Sequence, residues 1–195
     1  MKKIFKKIPL WLIVVLVFLL LRFTGAFPEV MGSMQRVLLW TGLFNARPQA
    51  AASAPRLQEH WLLEDLDGKR IDIQDLRGKV VVINLWATWC PPCVAELPSL
   101  RNLQARIEAE GKDNIRLLLV NVEGTGEREK VLRFATRKGI TSATYFPLSP
   151  EPPLLHSKAI PATFVLSPSG QVVYRKKGMA NYDTQAFWAF LQSLQ

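Results

Sequence analysis

The sequence predicts an α/β domain with a mixed central sheet and helices on both faces, preceded by an N-terminal transmembrane helix. Three observations predict this. Residues 79–85 (KVVVINL) and 115–122 (IRLLLVNV) are nearly continuous apolar runs rich in β-branched residues. That is the pattern of strands buried on both faces, as in a parallel sheet. Residues 93–110 between them have helical spacing, and a strand–helix–strand unit of this length closes as a right-handed crossover. Near the N-terminus, four lysines (Lys2, Lys3, Lys6 and Lys7) precede an uncharged stretch over residues 8–21.

That stretch has 14 residues. At ~1.5 Å per residue it spans roughly 21 Å, short of the roughly 30 Å hydrocarbon core. Arg22 and the lysines can snorkel, and Phe23, Ala26 and Phe27 extend the apolar surface. The alternative is a cleavable signal peptide, but its only small-residue site, Thr24-Gly25-Ala26, matches the cleavage pattern weakly. We therefore read residues 1–28 as an uncleaved single-pass membrane anchor. The lysines stay inside and the remainder sits on the periplasmic or extracytoplasmic side, touching lipid through the anchor. Residues 29–56 form an amphipathic segment (30–44, interrupted by Gln35 and Arg36) and an alanine-rich linker (47–55). That segment lies on the membrane or packs on the domain; the competing reading, a second span, would return the domain to the cytoplasm.

Residues 57–195 form the folded domain. The net charge of +9 is concentrated in residues 1–54, which hold seven basic residues against one acid. The remainder holds 18 against 15, an ordinary solubility charge, and no nucleic-acid-binding pattern is visible. Residues 61–64 and 70–73 flank Asp67-Gly68 as a short hairpin. A helix over 127–138 is closed by Gly139, and a short apolar element covers 143–146. A proline-rich loop follows over 147–153. Strands over 162–166 and 171–176 flank the turn Ser167-Pro168-Ser169-Gly170. Asp183 or Asn181 caps a last helix ending near Leu194.

The chain has two cysteines, Cys90 and Cys93, in the run Trp89-Cys90-Pro91-Pro92-Cys93. A structural disulfide framework needs more, and more widely spaced, cysteines. The pair sits where a buried strand gives way to a helix, the end of an α/β sheet where chemistry collects. Unpaired N–H groups and the helix dipole there favour a thiolate at Cys90. Cys93, about one turn away, is placed to attack a mixed disulfide formed on Cys90. A zinc site lacks a second cysteine pair, and His60 and His156 are at unhelpful spacing. No metal is expected, and no cofactor beyond the redox-active disulfide Cys90–Cys93.

The segment VVVINLWATWCPPCVAELPSL resembles the active-site segment of the thioredoxin superfamily, and within it the TlpA/ResA-like, membrane-anchored thiol-disulfide oxidoreductases. The similarity covers roughly residues 57–195. It implies a thioredoxin fold with an extra N-terminal β-hairpin, Cys90 as the exposed nucleophile and Cys93 as the resolving thiol. It also implies exported thiol or disulfide proteins as clients, apocytochrome c before haem attachment among them, and a membrane thiol carrier as electron donor.

Glu96 shares a helical stripe with Leu100, Leu103 and Ile107, one turn beyond Cys93. A partly buried carboxyl there should have a raised pKa and could exchange a proton with Cys93. Similar proteins carry a glutamate at this position. Pro98 falls within the helix, as in thioredoxins, and should shape it. Asn84, in the middle of the buried strand, reads as a satisfied core polar group. The resemblance makes Pro161 a cis-proline opposite the cysteines, with the Ile160 backbone placed to pair with an extended client. Trp89 is a candidate client-facing surface, Trp86 a core residue, His156 a bland loop residue, and Arg175-Lys176-Lys177 a solvated hairpin end. Pro91 and Pro92 supply no N–H to a Cys90 thiolate. Weak stabilisation of the reduced form makes a reductant, not a disulfide donor. The competing function is a copper-handling module, since thiolates suit Cu(I). Exported copper chaperones of this general fold usually need C-x-x-x-C and a distal histidine. A peroxiredoxin would need a threonine where Ala87 stands.

Overall fold

The computed structural model describes residues 9–42, 44–46, 54–111 and 113–195. The four N-terminal lysines and residues 47–53 of the expected linker lie outside the described residues. The elements are α1 (Leu10–Phe23), α2 (Phe27–Trp40), β1 (Leu62–Asp65), β2 (Arg70–Asp72), β3 (Val80–Trp86), α3 (Pro91–Ala109), β4 (Ile115–Asn121), α4 (Arg128–Lys138), β5 (Thr144–Pro147), β6 (Ala162–Leu166), β7 (Val172–Lys177) and α5 (Gln185–Ser193).

One seven-stranded sheet runs β2-β1-β5-β4-β3-β6-β7. β3 and β4 pair in parallel over their full length, β5 continues parallel beside β4, and every other pairing is antiparallel. The two apolar runs thus occupy the centre, where β3 is buried at every position. The hairpin β1–β2 joins the sheet through β5, and the short apolar element over 143–146 is therefore a full member of the sheet.

That membership corrects the expected layering. Alternate residues of β3 divide into two cores: Val80, Val82 and Trp86 on one face, Val81, Ile83 and Leu85 on the other. The buried residues of α3, α4 and α5 (Leu97 and Leu100, Phe134, Phe187 and Leu191) all belong to the first. Successive parallel strands β3, β4 and β5 step across the sheet in one direction, so right-handed crossovers put both connecting helices on one face. The second face is covered by Leu57, Trp61, Ile73 and Leu155 from extended segments and short 3-10 turns.

α5 is capped by Thr184, whose hydroxyl accepts from the Phe187 N–H at 3.2 Å; neither Asp183 nor Asn181 fills that role. Gly139 ends α4 in the left-handed conformation, as its position suggested. α2 packs on α3 rather than standing apart. A Cβ on Gly32 would lie 3.0 Å from both the Pro91 carbonyl oxygen and the Val94 Cβ, so any other residue here would push the two helices apart by a few tenths of an ångström. Leu39 is buried, and Glu29 pairs with Lys138 at 2.9 Å and Arg137 at 3.5 Å on α4. The chain on either side of residues 47–53 is also tied down: the Ala46 N–H bonds to Asn181 O, and the Val172 N–H bonds to Pro55 O.

Candidate active site

β3 ends at Trp86, and a tight turn delivers Cys90 to the N-cap of α3. Pro91 and Pro92 fill the first helical positions, where a missing N–H is no loss to the helix. Cys90 and Cys93 are joined as a disulfide with Cα atoms 5.3 Å apart. The Cys93 N–H points at the Cys90 sulfur from 3.3 Å. It is the first amide of the helix available to that sulfur, because the two before it belong to prolines. Cys93 is fully buried and Cys90 is 3% exposed. The sulfur expected to be open is thus close under the surface, and the solvent contact of the pair belongs to Cys90. Trp89, 57% exposed, stands beside it, whereas Trp86 is wholly buried against Phe134.

The Ile160–Pro161 peptide is cis and faces the disulfide: the Ile160 carbonyl oxygen lies 3.9 Å from the Cys90 sulfur. β6 places it there, starting at Ala162 and pairing antiparallel with β3. Chain segments about 70 residues apart in sequence therefore meet at one sulfur.

One helical turn beyond Cys93 on α3 lies Glu96, with no exposure at all. Its Oε1 accepts from Asn84 Nδ2 at 2.6 Å and its Oε2 from the Ala180 N–H at 3.1 Å. Burial penalises the charged carboxylate more than these two donors favour it, and the pKa is pushed up to about 8. Asn84 Nδ2 also donates to Thr163 Oγ1 at 2.9 Å, and the Tyr182 hydroxyl donates to the same oxygen at 2.7 Å. Burial, then the neighbouring Glu96, holds the Tyr182 pKa well above its usual value, so the phenol stays a donor. Asn84 is not the fully satisfied core group expected, since its Oδ1 has no partner among the described residues. Pro98 lies inside α3, two residues beyond Glu96.

Sequence reasoning missed Glu123. Its Oε2 accepts from the Thr88 N–H at 2.6 Å and from Asn121 Nδ2 at 3.2 Å; its Oε1 accepts from the Thr88 hydroxyl at 3.0 Å. Lys130 completes the cluster with an ion pair. Burial would raise the Glu123 pKa, but Lys130, Thr88 and Asn121 together hold it below the ordinary value. One carboxylate thus fixes the turn that presents Trp89 and Cys90. His156 pairs with Glu151, and Arg175-Lys176-Lys177 end β7 with Arg175 and Lys177 exposed, the Arg175 guanidinium lying over the Phe164 ring. Among the described residues, no three His, Cys, Asp or Glu side chains are grouped to hold a metal ion.

Such an arrangement can exchange disulfides: a sulfur at a helix N-terminus, a buried partner sulfur, a buried carboxyl one helical turn further on and a backbone carbonyl opposite. The Redoxin family pattern matches residues 49–186. The thiol-disulfide oxidoreductase ResA of Bacillus subtilis (strain 168) is 35% identical over 120 residues, covering 58% of this chain. The match spans 62% of that relative's length. StoA from Bacillus subtilis superposes with a TM-score of 0.54 at 24% identity, over 69% of this chain and 99% of its own. A thioredoxin family thiol:disulfide interchange protein from Chlorobium tepidum TLS gives 0.54 at 23% identity, over 75% and 99%. The fold is thus thioredoxin-like, with a mixed central sheet.

Proposed function

Since the chain belongs to the Redoxin family, within the thioredoxin superfamily and similar to the ResA proteins, we propose that it is a membrane-anchored thiol-disulfide oxidoreductase that reduces disulfides of exported proteins. The observation that carries this reading is the Cys90–Cys93 disulfide set at the start of α3, one helical turn before the buried Glu96 and against the Ile160 carbonyl.

In the reduced protein, the Cys90 thiolate attacks one sulfur of a client disulfide. A Cys90–client bond forms, the client bond breaks, and the first client sulfur leaves as a thiolate. Cys93 then loses its proton and attacks the Cys90 sulfur. The internal disulfide forms and the second client thiolate leaves, so two electrons pass to the client. Glu96, one turn from Cys93 and with its pKa pushed up to about 8 by burial, can take that proton and return it when the pair is reduced again. Ile160 offers backbone to an extended client strand and Trp89 offers an exposed apolar face.

The direction follows from the amides. With Pro91 and Pro92 giving none, the Cys93 N–H is the near donor left to the Cys90 thiolate. A weakly stabilised reduced form is a reducing one. Clients are exported proteins with paired cysteines, apocytochrome c among them, and a membrane dithiol carrier restores the reduced state. α1, together with the residues before it, anchors the chain in the bacterial cell membrane with the domain outside the cytoplasm. No single described helix is long and apolar enough to cross a membrane, while α1 and α2 together have the composition of a bent pair. The comparisons favour disulfide exchange over copper handling.

The test is a redox titration against glutathione with insulin reduction in parallel. The proposal expects turnover that needs both cysteines and a potential more reducing than about −200 mV; a value near about −120 mV, that of a strong oxidant, rejects the direction.

A further inference from the structure

α2 presents two opposite faces. Gly32 and Leu39 lie on one, pressed onto the start of α3. At about 100° per residue, Phe27, Val30, Met34, Val37 and Leu38 fall on the other. Of these, Val30, Met34, Val37 and Leu38 are 39–63% exposed, a contiguous apolar stripe left open by the described residues of the domain.

We infer that this stripe docks on the bilayer surface, so that α2 is an interfacial helix held between the membrane and the active-site helix. The inference rests on the reading of α1 as the membrane anchor, and three features of the structure lead to it. First, residues 24–26 alone separate the two helices, and these meet at 106°, so a helix along the bilayer normal leaves α2 lying almost in the membrane plane. The left-handed Gly25 (φ 69°) makes that turn. Second, the stripe is on the membrane side. Phe27 belongs to it, and its ring meets Phe18 of α1 edge to face with centroids 5.6 Å apart. Phe18 lies more than one turn inside α1, so the face of α2 that carries Phe27 is the face turned towards the apolar helix. Third, a cation sits at the junction. A groove of about 330 Å³ opens there, lined by Arg22, Lys130, Arg133, Arg137 and Trp89; Lys130 pairs with Glu123, Arg133 with Glu129 and Arg137 with Glu29, which leaves exposed Arg22, at the end of α1, without an ion pair among the described residues. An arginine at headgroup level beside an apolar stripe suits a surface that meets anionic lipid.

The consequence is a fixed height for the chemistry. α2 is one helix, roughly 10–12 Å, in diameter. Through Gly32 it approaches Pro91, between the two cysteines, and Val94, directly after them. The disulfide is thereby held about one helix diameter above the lipid, with Trp89 at the groove edge, where partners confined to the membrane surface can reach it.

The test uses the full chain in vesicles of phosphatidylcholine and phosphatidylglycerol. Single cysteines at Met34, Val37 and, as aqueous reference, Asp67 are introduced with Cys90 and Cys93 changed to Ser, and each is spin-labelled. The ratio of collisions with oxygen to collisions with a water-soluble nickel chelate should be several-fold higher at 34 and 37 than at 67. In parallel, hydroxyl-radical footprinting of the unaltered chain should oxidise Met34 more slowly than the less exposed Met179, reversing the order that their surface areas dictate. Vesicle flotation with labels at 34 and 37 as chelate-accessible as at 67 overturns the interfacial helix and leaves the anchor standing. Dipolar broadening at 34 and 37 that grows with the protein-to-lipid ratio overturns it in favour of a second copy. Failure to float overturns the anchor, and this inference with it.

Discussion

Glu96→Gln should flatten the pH dependence of folding stability between pH 5 and pH 9. Glu96 is wholly buried, and its pKa moves from an ordinary 4.5 to about 8. Below pH 4.5 the carboxyl is protonated in both folded and unfolded chains, and the stability associated with its neutral form is fully present. As pH rises, the unfolded chain releases the proton first, so stability falls until the folded carboxyl ionises near pH 8 and then levels. The separation, at about 1.4 kcal/mol per pH unit, corresponds to a loss of order 5 kcal/mol, of which about 4 kcal/mol falls between pH 5 and pH 9. Glutamine has the same shape and can still accept from one donor, but it has no proton to lose. Urea unfolding of the oxidised protein and of the variant at several pH values measures the two slopes. The wild type should lose a few kcal/mol more than the variant across this range. Parallel slopes would show that Glu96 is not held neutral by burial and would remove the basis for its proton exchange with Cys93.

Other expectations follow from the same contacts. Asn84→Ala removes a donor to the Glu96 carboxylate, so the step in stability should end at a higher pH than in the wild type; a shift to lower pH would refute the hydrogen-bond assignment. Tyr182→Phe removes the hydroxyl that donates to Thr163 and should cost about 1 kcal/mol in denaturant unfolding. Glu123→Ala frees the Thr88 N–H, and amide exchange there should accelerate while the centre of β4 is unchanged; equal protection would mean that the turn holds itself. Gly32→Val crowds Pro91 and Val94 and should destabilise the packing of α2 on α3 by about 1–3 kcal/mol, read as a lower unfolding midpoint.

Much of the fold is legible in the sequence where one segment carries its own signal. β3 and β4 announce themselves as apolar β-branched runs, and Leu100, Leu103 and Ile107 set the buried face of α3 and place Glu96 on it. The cysteine pair is legible from its spacing and its place where a buried strand gives way to a helix, the cis proline at 161 through resemblance. What is not legible depends on partners distant in the chain. Glu123 looks like a surface acid after a strand, and only the pairing of β3 with β4 brings it under Thr88. The Asn84–Thr163–Tyr182 network joins three elements that no local period connects. β5 is four residues long, too short to signal a strand, yet its place beside β4 is what puts α3 and α4 on the same face. α2 has apolar residues on two opposite sides, which blurs its amphipathic period, and Gln35 and Arg36 interrupt the run.

The most direct measurement is capture of a mixed disulfide. Full-length chain carrying Cys93→Ala, reduced and then exposed to oxidised insulin or to an exported extract, should accumulate adducts whose peptide linkage maps to residue 90. The Cys90→Ala chain should accumulate none. Adducts on position 93 when Cys90 is absent, in amounts equal to those on position 90, would contradict the assignment of attacking and resolving sulfurs on which the account stands.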